Sequence, residues 1–234
     1  MSTNKGTPRG RPPEPGHRPV VARTILFDFD YTLADSSRGV IDCIDYALRE
    51  LGLPPVSDEQ ARHTIGLSLS DTLIHLAGPQ PAARCDAFAR LFVERADQVM
   101  LDKTVLLRAV PRSIEQLRRR GLSLGIVSTK YRRRIEAILR REDLLEAFGV
   151  IVGGEDVSAH KPDPEGLLQA IDRLSVSPQD TLYVGDSLTD AETARRATVR
   201  FAAVLSGVTP LDAFQGHPVC RVLESVAELP ELIA

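Results

Sequence analysis

The feature that most constrains this chain is the alternation of short apolar segments with helical stretches of about ten residues in its second half. Residues 122–127, 150–152, 181–184, 200–205 and 219–222 read as strands, residues 111–120, 132–140, 164–174 and 190–197 read as helices between them, and Ser225 opens a terminal helix. Such alternation is the sequence form of βαβ units, whose parallel strands are joined by helices packed on the sheet. One further strand, RTILF at residues 23–27, stands alone near the front of the chain. Between it and the rest, residues 36 to about 103 show only helical spacing, beginning with Val40, Ile41, Ile44, Ala47, Leu48 and Leu51. Ser57 and Gln60 fit a capping box for a short second helix. The prediction is an α/β chain interrupted by a helical insertion.

The expected architecture is a Rossmann-like, mostly parallel sheet flanked by helices, built from residues 21–36 and 104–234, with residues 37–103 as a small all-helical domain. Residues 1–20 hold five prolines, three glycines and four Lys or Arg with almost nothing to bury, and read as a flexible tail. A net charge of −3 is too even to point to nucleic acid or an acidic membrane surface as partner. No apolar run approaches the roughly 20 residues of a membrane span, and the N-terminus lacks the apolar core of a secretory signal, so a cytoplasmic protein is expected. Cys43, Cys85 and Cys220 are too few and too scattered for a disulfide framework or a CxxC metal site. The sequence does not specify an oligomeric state.

Open α/β sheets bind ligands beyond the carboxyl ends of their strands. The residues at those ends are Asp28 and Asp30 after RTILF, Ser128, Thr129 and Lys130 after LGIV, His160 and Lys161 after VIVGG, and Asp186 with Asp190 after LYVG. Phosphoryl transfer is the chemistry compatible with all of them. A carboxylate, with an ordinary pKa of about 3.9 for Asp, is a nucleophile at neutral pH without help from a base. Its difficulty is repulsion: two unit charges about 4 Å apart interact by ~4 kcal/mol at an effective dielectric of 20. Hard oxygen ligands in a cluster suit Mg²⁺, which would offset that repulsion. Lys161 would neutralise a phosphate oxygen, Ser128 and the Thr129 backbone would donate hydrogen bonds to it, and a second carboxyl would exchange the proton that leaving group and water require.

The segments DFDYTL (28–33), VSTK (127–130), HKPDP (160–164) and GDSLTD (185–190) resemble, in order and spacing, the four motifs of the haloacid dehalogenase superfamily. The helical insertion after the first motif, with TIGLSLSDTL at 64–73, resembles the C1 cap of its phosphoglycolate phosphatase-like branch. The resemblance implies a Mg²⁺-dependent phosphatase acting on a small phosphomonoester. In it Asp28 is the nucleophile and Asp30 the general acid/base, with the Asp30 backbone carbonyl also on the metal. Asp28 and Asp186 are direct metal ligands, Asp190 is a supporting one, and Ser128, Thr129 and Lys161 hold the phosphate. A phosphomutase of the same family uses these residues likewise and stays open at this stage. A dehalogenase would have no use for Asp30 and Asp186, and a non-catalytic relative would be expected to lack Asp28, Asp30, Lys161 or Asp186. All four are present.

Tyr31 departs from the pattern, since glycine is usual after the second aspartate and a tyrosine takes a positive φ less cheaply. Tyr31, Arg38, Gly66 and Leu67 are the candidates for substrate specificity. The loop 64–72 is apolar and hydroxyl-rich with no Lys or Arg, which favours a leaving group that is neutral and partly apolar, such as a sugar or an aromatic glycoside. Arg38 and Arg62 would overturn this if they point inward. The run Arg132-Arg133-Arg134 with Arg140 and Arg141 reads as a solvated helix face.

Overall fold

A computed structural model describes residues 19–233; the tail predicted over residues 1–20 lies outside this range except for its last two residues. Among the described residues, eight strands and nine α-helices follow one another as β1 (Thr24–Phe27), β2 (Ala34–Asp35), α1 (Ser37–Glu50), α2 (Asp58–Arg62), α3 (Leu69–Ala77), α4 (Ala82–Val99), β3 (Val105–Leu106), α5 (Val110–Arg119), β4 (Ser123–Val127), α6 (Arg132–Arg141), β5 (Val150–Val152), α7 (Glu165–Arg173), β6 (Thr181–Gly185), α8 (Leu188–Arg196), β7 (Arg200–Val204), β8 (Val219–Leu223) and α9 (Leu229–Leu232).

Six strands form one parallel sheet in the order β5-β4-β1-β6-β7-β8. The central strand is β1, with Phe27 opposite both Ile126 of β4 and Val184 of β6. The chain fills one flank of β1 and then crosses to the other, so the strand order reverses there. That reversal opens the crevice in which doubly wound folds bind ligands.

Alternate side chains of each strand serve opposite faces. Ile25, Phe27, Leu182 and Val184 pack with α5, α6 and α9, whereas Leu26 and Tyr183 pack with α7 and α8. The N-terminal side is secured by Val20, which bridges Ile233 and is 8% exposed, so the packed core takes in one residue that the sequence reading left in the tail. At the other end, Pro230 falls in the first turn of a helix of only four residues, and Ser225 caps a three-residue 3₁₀ turn rather than a longer terminal helix.

Helices α1–α4 build a core of their own from Ile44, Leu48, Leu73, Phe88 and Met100, among others. Burying each large side chain contributes roughly 1.5–3 kcal/mol. The predicted capping box is present: the Ser57 hydroxyl accepts the Gln60 N–H, and the Gln60 side chain accepts the Ser57 N–H. This helical cap joins the sheet domain through β2 and β3, a two-residue antiparallel ribbon that pairs Asp35 with Val105. The three cysteines are free thiols, Cys43 and Cys85 buried and Cys220 exposed. No helix among the described residues is long and apolar enough to cross a membrane.

Candidate active site

Asp28 follows β1 directly, and its N–H extends the ladder to the carbonyl of Val184. Ser128 follows β4, and its N–H bonds the carbonyl of Val152. The Ser128 hydroxyl accepts the Lys130 N–H at 3.4 Å and donates to no protein group among the described residues. Asp186 follows β6, while Asp190 sits in the first turn of α8. There the Ser187 hydroxyl caps the Asp190 N–H and the Asp190 carboxylate takes the Ser187 N–H, so helix capping fixes this carboxylate.

Asp28, Asp30, Ser128, Lys161, Asp186 and Asp190 are all buried at this one edge, with Thr129 half-buried beside them. Lys161 Nζ lies 2.6 Å from Asp190 Oδ1 and 3.0 Å from Asp28 Oδ1. The contact to Asp28 is an ion pair without hydrogen-bond alignment, so Asp28 Oδ1 is buried with no donor. Burial pushes the Asp28 carboxyl up to about 6, Lys161 pulling it down and Asp190 and Asp30 adding to the rise. Burial likewise lifts Asp186 well above the ordinary carboxylate range, reinforced by Asp190 and Asp28. Burial also opposes the charge of Lys161, but Asp190 and Asp28 outweigh it and hold the ammonium well above the usual lysine value. With all four ionised, Asp28, Asp30, Asp186 and Asp190 against Lys130 and Lys161 leave two negative charges unmatched, which is what raises Asp28 and Asp186 once burial removes water from them.

That deficit and the orphaned Asp28 oxygen fit a divalent cation. Asp28, Asp186 and Asp190 each offer a carboxylate oxygen within 4.8 Å of the others. Asp28 and Asp186 are the freer pair, because Asp190 Oδ1 already receives Lys161 and Tyr183, and its Oδ2 receives Ser187 Oγ at 2.5 Å and Ser187 N at 3.2 Å. Among the described residues, the Asp186 carboxylate takes only the Thr32 hydroxyl, at 3.2 Å. Gly207 makes room for it, since a Cβ there would fall 1.9 Å from Asp186 Oδ2.

A family model described as haloacid dehalogenase-like hydrolase matches residues 25–204. The chain belongs to this family. Among the phosphatases related to this haloacid dehalogenase-like hydrolase, the phosphoglycolate phosphatase of Pseudomonas putida is 32% identical over 207 residues, spanning 83% of this chain and 74% of that protein. The phosphoglycolate phosphatase of Escherichia coli K12 is 30% identical over 197 residues, spanning 75% and 78%. A solved haloacid dehalogenase-like hydrolase from Bacteroides fragilis is 42% identical, with a TM-score of 0.87 over 89% of this chain and 99% of that one. By this kinship the hydrolase is a phosphatase.

Several residues of this site carried no assignment in the sequence. Lys130 Nζ holds both carboxylate oxygens of Asp30, at 3.0 and 3.2 Å, and the Ser36 hydroxyl donates to Asp30 Oδ1 at 2.5 Å. Ser36 precedes α1 as its N-cap but makes no capping hydrogen bond with its side chain. Tyr183, buried under Lys161, shares its hydroxyl among Lys161, Asp190 and the Val127 carbonyl.

Above these groups lies a cavity of about 230 Å³ between cap and sheet domain, reached from Asp30, Thr129 and Lys130. Gly66 and Leu67 line it, and the Gly66 carbonyl accepts the Thr129 hydroxyl across the gap at 3.2 Å. Tyr31 and Arg38, two of the specificity candidates, do not line it. Arg38 is exposed. Tyr31 takes the positive φ of 61° that glycine would adopt more cheaply, and its ring is buried. Its hydroxyl sits beside Arg62 and Ser37 without a hydrogen bond of ordinary geometry, and burial raises its pKa above the usual tyrosine value. Arg62 therefore turns toward Tyr31 and not into the cavity. The basic run on α6 is also not simply solvated: Arg134 is folded under the cap with 10% of its side chain exposed, because Asp97 and the Val93 carbonyl of α4 receive it.

Proposed function

We propose that this phosphatase hydrolyses a small phosphomonoester in two steps through an aspartyl phosphate on Asp28, with Mg²⁺ bound by Asp28, Asp186 and the Asp30 carbonyl. The reading rests above all on Asp28, a buried carboxylate with one oxygen lacking a donor, beside a cationic lysine and within reach of two further carboxylates. Bound Mg²⁺ would supply charge neutralisation between the nucleophile and the phosphoryl oxygens.

In the first step an Asp28 oxygen attacks phosphorus and the bond from phosphorus to the alcohol oxygen breaks. Asp30 gives its proton to that oxygen. Lys161 and the unspent Ser128 hydroxyl hold the phosphoryl oxygens as negative charge shifts among them. In the second step water attacks the phosphorus of the aspartyl phosphate, Asp30 takes the water's proton, and phosphate leaves with Asp28 restored. Asp190 has no part in bond making; it anchors Lys161 and the start of α8. The cap keeps bulk water from the intermediate, and opening at the β2–β3 ribbon would release the products.

The test is phosphate release from p-nitrophenyl phosphate with and without Mg²⁺, followed by acid quenching after labelling with a ³²P ester. A Mg²⁺-dependent, acid-stable label on the wild type that is missing from Asp28→Asn supports the mechanism. Unlabelled wild-type protein during steady turnover would remove the covalent intermediate.

A further inference from the structure

The cavity beneath the cap is larger than a two-carbon leaving group needs, and its wall is mainly apolar, with Ile65, Leu67, Leu69 and Phe92 beside the hydroxyls of Thr64 and Thr72. Thr64 already gives its hydroxyl to the Ala61 carbonyl. The Lys and Arg side chains on the wall, among the described residues, are Lys130 and Arg134. Both are matched within the protein. Lys130 is held by Asp30. Arg134 places Nε and Nη2 3.1 and 2.6 Å from Asp97 Oδ1, gives Nη2 to the Val93 carbonyl at 3.0 Å, and lies over the Tyr131 ring at 5.0 Å.

Asp97 does not itself line the cavity. It stands on α4 behind the wall, and it also receives both Asp–Arg contacts of Arg133, at 2.7 and 2.8 Å. Arg133 is 53% exposed and outside the cavity, so water and salt screen the positive charge left over in this trio. An anionic group arriving at the wall therefore meets a guanidinium whose charge is already answered. With Nε and Nη2 committed to Asp97 and the Val93 carbonyl, an anion must compete with Asp97 for the guanidinium charge, while it loses its own water to apolar surroundings. A neutral group bears neither cost and gains from apolar burial.

We propose that Asp97 is a positioning residue that sets the specificity of this phosphatase. By neutralising Arg134 from behind the cavity wall, it reserves the cavity for phosphate esters of neutral, partly apolar alcohols and turns away esters whose alcohol part is anionic, such as phosphoglycolate. The assignment rests on the phosphatase reading above. Discrimination of this kind is a difference between two affinities, and a matched arginine lowers one of them without touching the other.

The experiment compares benzyl phosphate with phosphoglycolate, both primary alkyl esters, on the wild type, Asp97→Asn and Asp97→Glu. Wild-type kcat/KM should favour benzyl phosphate by about tenfold or more, the range of one charge-assisted hydrogen bond. Asp97→Asn should raise kcat/KM for phosphoglycolate by about tenfold through a lower KM, with benzyl phosphate held within about twofold. Asp97→Glu, which keeps the charge, should retain the wild-type preference. A general loosening of the cap would change both esters together and leave their ratio where it was. An unchanged ratio in Asp97→Asn, or a wild-type preference for phosphoglycolate, overturns the assignment while leaving the phosphatase chemistry standing. Phosphate release from neither ester, nor from p-nitrophenyl phosphate, overturns both.

Discussion

Lys130 grips Asp30 by both carboxylate oxygens, across 100 positions of sequence and in a site where each group is buried. The lysine thereby fixes where the proposed acid/base points. Lys130→Met should lower kcat for an alkyl phosphate by about ten- to a hundredfold. The loss should be smaller for p-nitrophenyl phosphate, whose leaving group needs no proton. Equal losses on the two esters would mean that Lys130 serves the fold or the phosphate instead.

Asp28→Asn is close to isosteric and sits at the end of a strand whose pairing it does not alter. Turnover should fall by about 10⁴ or more, since an amide cannot serve as the nucleophile. Circular dichroism should report an unchanged fold. Activity near the wild-type level would exclude attack by Asp28.

Metal and pH are linked through the same carboxylate. Asp28 has its pKa raised to about 6 in the folded, metal-free chain, so its protonated form suits the fold better than its charged form. That contribution is complete below the unfolded value of about 3.8 and is lost as pH rises through about 6, a change on the order of 3 kcal/mol. Mg²⁺ would compensate a charge present only at the higher pH. The rise in Tm on adding Mg²⁺ should therefore be larger at pH 7.5 than at pH 5. A rise independent of pH would separate the metal from Asp28.

Tyr183→Phe removes one hydroxyl from beneath Lys161 and keeps the ring in the core. Asp190 loses a donor and Lys161 an acceptor. We expect kcat/KM to fall by about five- to tenfold, with the Mg²⁺ concentration for half-maximal activity unchanged. A large shift in that concentration would instead place Asp190 on the metal.

Gly207→Ala should do the opposite. Its Cβ would displace Asp186 and raise the Mg²⁺ requirement. An unaltered Mg²⁺ dependence would show that Asp186 has other room to occupy.

The sheet and the carboxylate site were legible in the sequence because local signals wrote them. The β1 segment runs directly into Asp28, where a buried strand opens into a polar loop, and Ser57 with Gln60 closes a cap over three residues. The partners of those groups were not legible. Lys130 stands in a recognised motif, yet no spacing says that it reaches Asp30. Arg134 fits the polar stripe of α6, yet Asp97, 37 positions away, draws it under the cap. The ribbon β2–β3 escaped notice because two residues per strand cannot display a period of two. Tyr31, expected among the specificity residues, takes a positive φ and stays off the cavity wall.

That ribbon also bears on how the molecule came to be assembled. Because Asp35 and Val105 are paired neighbours, the helical segment leaves the sheet domain and returns to it at one spot. Everything between them is, in geometric terms, a detachable module: its length and contents are invisible to the register of the six parallel strands. A chain built this way can take a different helical segment there while keeping the strand ends, and the carboxylates on them, where they are. Such an exchange would need only a junction two residues wide.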